Sequence, residues 1–370
     1  FLGILPYING GKDILTFVEK CADEIGQDGV FEYELVGERT VVCCNWETAK
    51  PILDARPYKV TRTAMFKRIK KEIQGVFVAE GAMWRRHRQL IAPAFHQRAL
   101  QNYMPSVKLS VTKFVDYLVE SSGQMVNMSQ LLPVLSSCVL IAAMSGSHID
   151  SFQSVASLPI VAQVPKVFAA AVLRMFAPVP YWELPFVGRL CPHVEVFERF
   201  RQLTVELIDK SLGPTEAENG KTLLAKLAEA HEGDKLTRME LVGAVQTLFA
   251  AGIDTTALTL AWAFYELSKN ATLQEEVAKE AASVLLEGGD AIAQSEKLSL
   301  CTAVWNETLR LHNVAQWLVL TLQVDMEVHG KKLRAGQEVA VLTRYIAQHS
   351  DEMKALGDDI YTWNPKRWID

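Results

Sequence analysis

The spacing of apolar residues along the 370-residue chain changes its period from segment to segment, and each period predicts an element. VFEYELVGERTVVCCN (Val30 to Asn45) alternates apolar and polar positions on either side of Gly37-Glu38, the pattern of two strands joined by a tight turn. A basic helical region is expected next. GVFVAEG then leads into WRRHRQLIAPAF, a short helix ended by Pro93. Helical spacing covers residues 100–145 and closes near SGSHID. Residues 155–192 are apolar but rich in proline, as in FAPVPYWELPF, which is too broken for a membrane-spanning helix. Helical periodicity resumes over Val194 to Leu212 and gives way to the polar loop GPTEAENGK.

Thr237-Arg-Met-Glu240 has the spacing of a capping box, in which hydroxyl and carboxylate each satisfy the other residue's backbone amide. The helix it opens is expected to run to about Asn270, roughly 50 Å at the usual rise per residue. From Leu241 to Tyr265 its only charged residue is Asp254. A helix apolar nearly all round belongs at the centre of a helical domain. A further helix (Leu273 to Leu286), then LCTAVWNETLRL, then a strand–turn–strand reading of QVDMEVHGKKLRAGQEVAVLTR complete the chain. The fold class is mainly α: one large helical domain, residues 1–370, around a long central helix, with small β-sheets.

The chain is 49% hydrophobic and 22% charged, which excludes a disordered polymer. A net charge of -5 excludes a nucleic-acid binder as a class. The charge is unevenly placed: residues 56–98 carry +9 and the remainder -14. A basic segment on an acidic protein suits an anionic partner, cofactor or membrane surface, or is a solvated helix face. The six cysteines form neither a CxxC nor a zinc spacing.

AGIDTT, Ala251 to Thr256, interrupts the central helix chemically. Gly252 costs about 1 kcal/mol relative to alanine in a helix interior and lets a flat ligand approach the backbone. Burial raises the pKa of a carboxyl such as Asp254. Thr255 is expected to turn its hydroxyl onto a carbonyl one turn back, bending the helix. Three readings stand open on the residues alone. One is a proton-delivery site in a dry pocket. Another is a packing notch between helices, and the third is a membrane span with an intramembrane acid.

Four stretches in order resemble the haem-thiolate monooxygenases, the cytochrome P450 superfamily, over nearly the whole chain. AGIDTT resembles the family's oxygen-activating helix. WRRHR resembles its Trp-x-x-x-Arg helix, ETLR its Glu-x-x-Arg helix, and NPKRW its Pro-x-Arg-Phe-like stretch. The resemblance implies that Trp84 and Arg88 bond the haem propionates and that Ala251 and Gly252 lie against the haem. Asp254 and Thr255 would guide protons toward oxygen as it is activated. Glu307, Arg310 and Arg367 would form a buried structural motif. The implied partners are O2, an apolar substrate such as a fatty acid, terpenoid or sterol, and electrons from NAD(P)H. A reductase or ferredoxin-type donor would deliver them at the basic Arg85 to Arg88 face. The resemblance further implies a monomer, at the endoplasmic reticulum if eukaryotic and full length and cytoplasmic otherwise. Apolar pocket-lining candidates are Phe77, Val78, Phe249, Ala250 and Phe186.

Two departures accompany the resemblance. The family's ligand loop, Phe-x-x-Gly-x-x-x-Cys-x-Gly, follows a stretch like NPKRW, whereas this chain stops at Asp370. The chain is therefore expected to be a fragment, truncated at both ends and inactive by itself, with no metal ligand of its own. His312 and His349 lack a partner ligand at metal spacing and read as loop residues. The second departure is NVAQWLVLTL after His312, without the family's prolines and propionate-binding arginine. The alternative function is a helical binding module that has lost haem.

Overall fold

The structure, a computed structural model, describes residues 14–35, 38–146, 152, 158–177, 179–184, 192–212, 222–232, 236–355 and 359–369. In chain order these form α1 (Ile14–Ile25), β1 (Val30–Leu35), β2 (Glu38–Cys43), α2 (Trp46–Asp54) and β3 (Val60–Arg62). There follow α3 (Gly81–Ile91), α4 (Gln97–Glu120), α5 (Met128–Ser145), α6 (Pro159–Phe176), α7 (Pro192–Ser211) and α8 (Leu223–Glu232). The central helix comes in two pieces, α9 (Arg238–Gly252) and α10 (Asp254–Ser268). After it come α11 (Ala271–Glu287), α12 (Ala291–Glu296), α13 (Ser299–Leu311), β4 (Leu318–Leu322), β5 (Met326–Val328), β6 (Lys331–Leu333) and β7 (Glu338–Val341). The chain closes with α14 (Thr343–His349), α15 (Asp351–Ala355) and a 3-10 turn at Pro365–Trp368. The fold is mainly α with small β-sheets, as the apolar periods predict.

The described chain divides into two compact units. Unit 1 holds residues 1–64, 266–280 and 299–370, and unit 2 holds residues 65–265 and 281–298. Unit 1 is built on a five-stranded sheet of order β1-β2-β7-β4-β3. The β2–β7 pair is parallel and the other pairs are antiparallel. Val41, Cys43, Val60, Leu320, Leu322, Val339 and Val341 form its core with Ala49 and Ile52 of α2. β5 and β6 pair as a separate hairpin.

Unit 2 buries its apolar helix stripes against α9. Seven consecutive residues of α9, Leu241 to Thr247, are buried, as is Phe249. Thr237 and Glu240 make both halves of the capping box. Met128–Ser145 and Arg238–Ser268 are long and apolar enough to cross a membrane. Half or more of each apolar window is buried inside the protein, which is the behaviour of core helices.

Several expectations are corrected. The basic segment after the hairpin is helical only in part: Val60, Thr61 and Arg62 are taken into the sheet as β3, paired with Leu322, Thr321 and Leu320, and Ala64–Arg68 forms a short 3-10 helix. Leu35 pairs with Glu38, so Glu38 belongs to β2, and residues 36–37 lie outside the described residues. Leu318 to Leu322, assigned no element from sequence, is the inner strand β4. The proline-rich stretch, read as too broken for a membrane-spanning helix, is not among the described helices apolar enough to cross a membrane, but it does contain the 18-residue helix α6, with Pro159 in its first turn and Pro165 inside. Its buried stripe of Ile160, Val164, Val167, Ala171 and Arg174 recurs at helical spacing and outweighs the single backbone bond that Pro165 removes. Arg174 at the end of that stripe is buried between the rings of Trp182 and Phe197 and donates to Glu72 at 2.6 Å. The loop at 213–221 lies outside the described residues.

The approach of the 74–75 turn to α9 leaves no space for a side chain. A Cβ on Gly243 would stand 2.4 Å from the Gln74 carbonyl oxygen. A Cβ on Gly252 would meet only Leu140, at an ordinary 3.6 Å. Gly243→Ala is therefore expected to destabilise the protein by about 2 kcal/mol through overpacking. Gly252→Ala is expected to stabilise it by up to about 1 kcal/mol. Urea unfolding of both variants checks the opposite signs.

Candidate functional site

In unit 1, Glu307 sits mid-way along α13 with no exposure to solvent. Burying a carboxylate is affordable only when its oxygens are fully engaged. Arg310, one turn on, donates from Nε to Oε2 at 2.8 Å and from Nη2 to Oε1 at 2.7 Å. Arg367 adds Nε to Oε1 at 3.1 Å, the Asn364 backbone amide donates at 2.9 Å, and the Trp368 indole donates to Oε2 at 2.9 Å. Burial pushes the Glu307 carboxyl up. The hydrogen bonds from Arg310, Asn364 and Trp368 and the Arg310 charge outweigh it and hold the group below the usual carboxylate range. Arg310 and Arg367 also donate to backbone carbonyls of Ile360 and Thr362. The cluster thus ties α13 to the 360–368 segment. The contributions of Asn364 and Trp368 are not visible in the motif spacing, because one is a backbone amide and the other an aromatic in the final position of NPKRW.

In unit 2, the central helix breaks at one residue, Ile253, between α9 and α10. The Thr255 hydroxyl donates to the Ala251 carbonyl at 2.6 Å, and the Thr259 hydroxyl to the Thr255 carbonyl at 2.9 Å. These bonds satisfy backbone groups beside the break. Ala251, Thr255 and Leu258 are exposed at helical spacing and make an open strip on the helix. Gly252 does not open this strip: its missing side chain would point at Leu140 of α5. Asp254 opens α10, half-buried, and burial raises its pKa. No hydrogen bond or ion pair engages it among the described residues.

On α3, Trp84 is half-buried and Arg88 exposed. No ion pair holds Arg88 among the described residues. Between them His87 is 2% exposed, and with Arg86 it binds Glu240 of α9. Sequence reasoning singled out the residues on either side of His87 and missed His87. Of the pocket-lining candidates, Val78 and Phe249 are buried in the unit 2 core and do not line open space. Ala250 is half-buried, Phe77 is exposed and packed edge-on to Phe66, and Phe186 lies outside the described residues. Two open clefts of about 500 and 430 Å³ lie in unit 1, beside Trp363 and Trp368, and contain none of the predicted catalytic or cofactor residues.

These residues can be tested against haem by donor chemistry. A free guanidinium and an indole N–H on one face of α3 suit two carboxylates. The small side chains of Ala251 and Thr255 on the open strip suit a flat ring. Cys43, Cys44 and Cys138 are buried within the apolar cores, and burial pushes the Cys43 thiol up to about 12 and those of Cys44, Cys138 and Cys301 up to about 11. His312 instead binds Glu266 at 2.8 Å, and His349 stacks on Tyr345 and bonds Tyr361.

A family model described as Cytochrome P450 matches residues 1–353. The chain belongs to the cytochrome P450 family. That family uses haem iron, with electrons from NAD(P)H through redox partners. Among similar proteins is LUTEIN DEFICIENT 5, chloroplastic, of Arabidopsis thaliana, 24% identical over 80% of this chain and 51% of its own length. Another is the carotene epsilon-monooxygenase, chloroplastic, of the same plant, 24% identical over 75% of this chain and 54% of its own length. Cytochrome P450 3A41 of Mus musculus is 23% identical over 95% of this chain and 72% of its own length. The chain spans about half the length of the two plant relatives.

Glu307→Gln is expected to destabilise the protein by about 3–5 kcal/mol near neutral pH, because Arg310 and Arg367 lose their buried counter-charge. The native pKa is lowered, so the ionised carboxylate stabilises fully above the unfolded value of about 4.3. This stability is lost as pH falls through the native value. Chemical unfolding from pH 7 into acid should therefore show the gap between wild type and Glu307→Gln narrowing.

Proposed function

We propose that this chain forms the substrate- and oxygen-handling part of a haem-dependent monooxygenase that hydroxylates or epoxidises an apolar molecule. The reading rests on one observation above all. Asp254, with a raised pKa and no hydrogen-bond partner among the described residues, stands at the only break in an apolar core helix, next to Thr255. The family match over residues 1–353 supports it.

Haem would supply the oxygen-activating iron, and the chain's own residues do the rest. Arg88 and Trp84 hold the propionates from α3. Ala251 keeps bulk away from the ring on the open face of the helix, whereas Gly252 faces Leu140. Asp254 carries a proton at higher pH than an ordinary carboxyl, which suits it to pick one up and release it inside a drier site. The Thr255 hydroxyl spends its hydrogen on the Ala251 carbonyl, so its oxygen lone pairs are free to accept a hydrogen bond. The exposed Arg85, Arg86 and Arg88 give α3 a basic surface, which complements a reductase or ferredoxin-type donor with acidic groups. A fatty acid, terpenoid or sterol suits such a site. The carotene epsilon-monooxygenase among the relatives agrees with an apolar substrate.

The test uses the full-length protein. Its reduced form is expected to give the carbon monoxide spectrum of a haem thiolate. Asp254→Asn and Thr255→Ala are each expected to slow product formation about 10²-fold. NAD(P)H consumption should fall less, with the difference released as hydrogen peroxide. A protein that binds no haem, or variants that keep full product yield, would sink the proposal.

A further inference from the structure

Glu240 does more than the capping box asks of it. Its Oε2 accepts the Thr237 backbone amide at 2.8 Å and the Thr237 hydroxyl at 3.0 Å, which closes the box. Its Oε1 faces the other way and accepts His87 Nε2–H at 2.9 Å together with the Arg86 guanidinium. Burial pushes this carboxyl up. The bonds from His87 and Thr237 and the Arg86 charge outweigh it and bring the group down to about 2. Nothing in helix capping requires a buried imidazole at this spot. Burying one without a partner would cost free energy, yet His87 is 2% exposed.

Helix geometry says what the second half of the carboxylate achieves. At about 100° per residue, Arg86 and His87 leave α3 about 100° apart, and Trp84 and Arg88 leave it about 40° apart on a different face. The two faces are separated by roughly 130° of rotation. A single hydrogen bond would let α3 roll about its axis. Two side chains 100° apart gripping one oxygen do not. The grip is on the back of α3, so it leaves the Trp84 and Arg88 face outward.

We propose that His87 and Glu240 are positioning residues for Trp84 and Arg88. The clasp fixes the rotation of α3 so that an indole N–H and a guanidinium converge on a ligand bearing two carboxylates. The inference rests on the haem reading above, and it adds residues which that reading does not use. His87 touches neither ligand nor reacting atoms in this scheme; it acts through the helix it holds.

The experiment titrates the apo form of the full-length protein with haem and, separately, with haem dimethyl ester, whose propionates are blocked. Binding is followed by Soret absorbance. Wild type is expected to bind haem at least tenfold tighter than the diester. Arg88→Leu should abolish that preference. His87→Leu should weaken haem about tenfold and leave the diester within twofold, because only the carboxylate contacts depend on the clasp. His87→Gln, which keeps a neutral N–H donor near the same place and guards against misfolding, should restore most of the preference. A purely structural role predicts equal loss for both ligands, and that result overturns the clasp. So does a His87→Leu protein that keeps its preference. Wild type with no preference for haem overturns the haem reading itself, and the clasp with it.

Discussion

The cost of placing a carboxylate out of water organises this chain. Glu307 has no exposure at all, and an ionised group there is tolerable only because α13 and the 360–368 segment converge on it. Two arginines, an indole and a backbone amide all spend donors on two oxygens. The dependence runs both ways. Arg310 and Arg367 are themselves buried cations that need Glu307, and they fix carbonyls of a segment that has little secondary structure of its own. Removing any member leaves the others charged, buried and short of a partner, so the cluster forms as a unit.

Three carboxylates show three solutions to the same problem, and the differences separate scaffold from chemistry. Glu307 is saturated with donors and locked below the usual range. Glu240 is shared between a helix cap and α3, and is also held low. Asp254 receives no such help, and burial alone pushes it up. Among the described residues Glu307 and Glu240 are thoroughly partnered, whereas half-buried Asp254, at the break of the central helix, has no hydrogen bond or ion pair. Perturbation by desolvation without compensation is what a proton-handling group needs and what a structural one avoids. The packing-notch reading of AGIDTT accounts for the threonine that satisfies a carbonyl, but not for the acid.

Interactions local in sequence were legible, and those decided at a distance were not. Thr237 and Glu240 lie three residues apart, as do Glu307 and Arg310, so their pairing follows from helix geometry alone. The bend at Ile253 was foreseeable because Thr255 can reach only one turn back. By contrast, the residues of β3 are strand because Val60 meets Leu322, far along the chain, and a basic stretch with helical neighbours carries no sign of that partner. The proline-rich stretch was assigned no helix from sequence, and the buried stripe of α6 shows what holds one through Pro165. Phe249 and Val78 were expected at an open pocket because they flank motif residues. On a helix adjacent residues face different ways, and Phe249 turned into the core, while Val78, in the turn before α3, is buried there as well.

The same directional argument bears on the glycine of AGIDTT. A glycine in a ligand-facing helix is easily read as a gap made for the ligand. Here the absent Cβ points at Leu140 with ordinary clearance, and the open strip belongs to Ala251, Thr255 and Leu258. On the proposed haem reading, smallness toward the flat ligand would be supplied by alanine and threonine at i and i+4. Gly252 is the last residue of α9, in helical backbone directly before the break at Ile253, and its position tolerates an alanine rather than marking a gap made for a ligand.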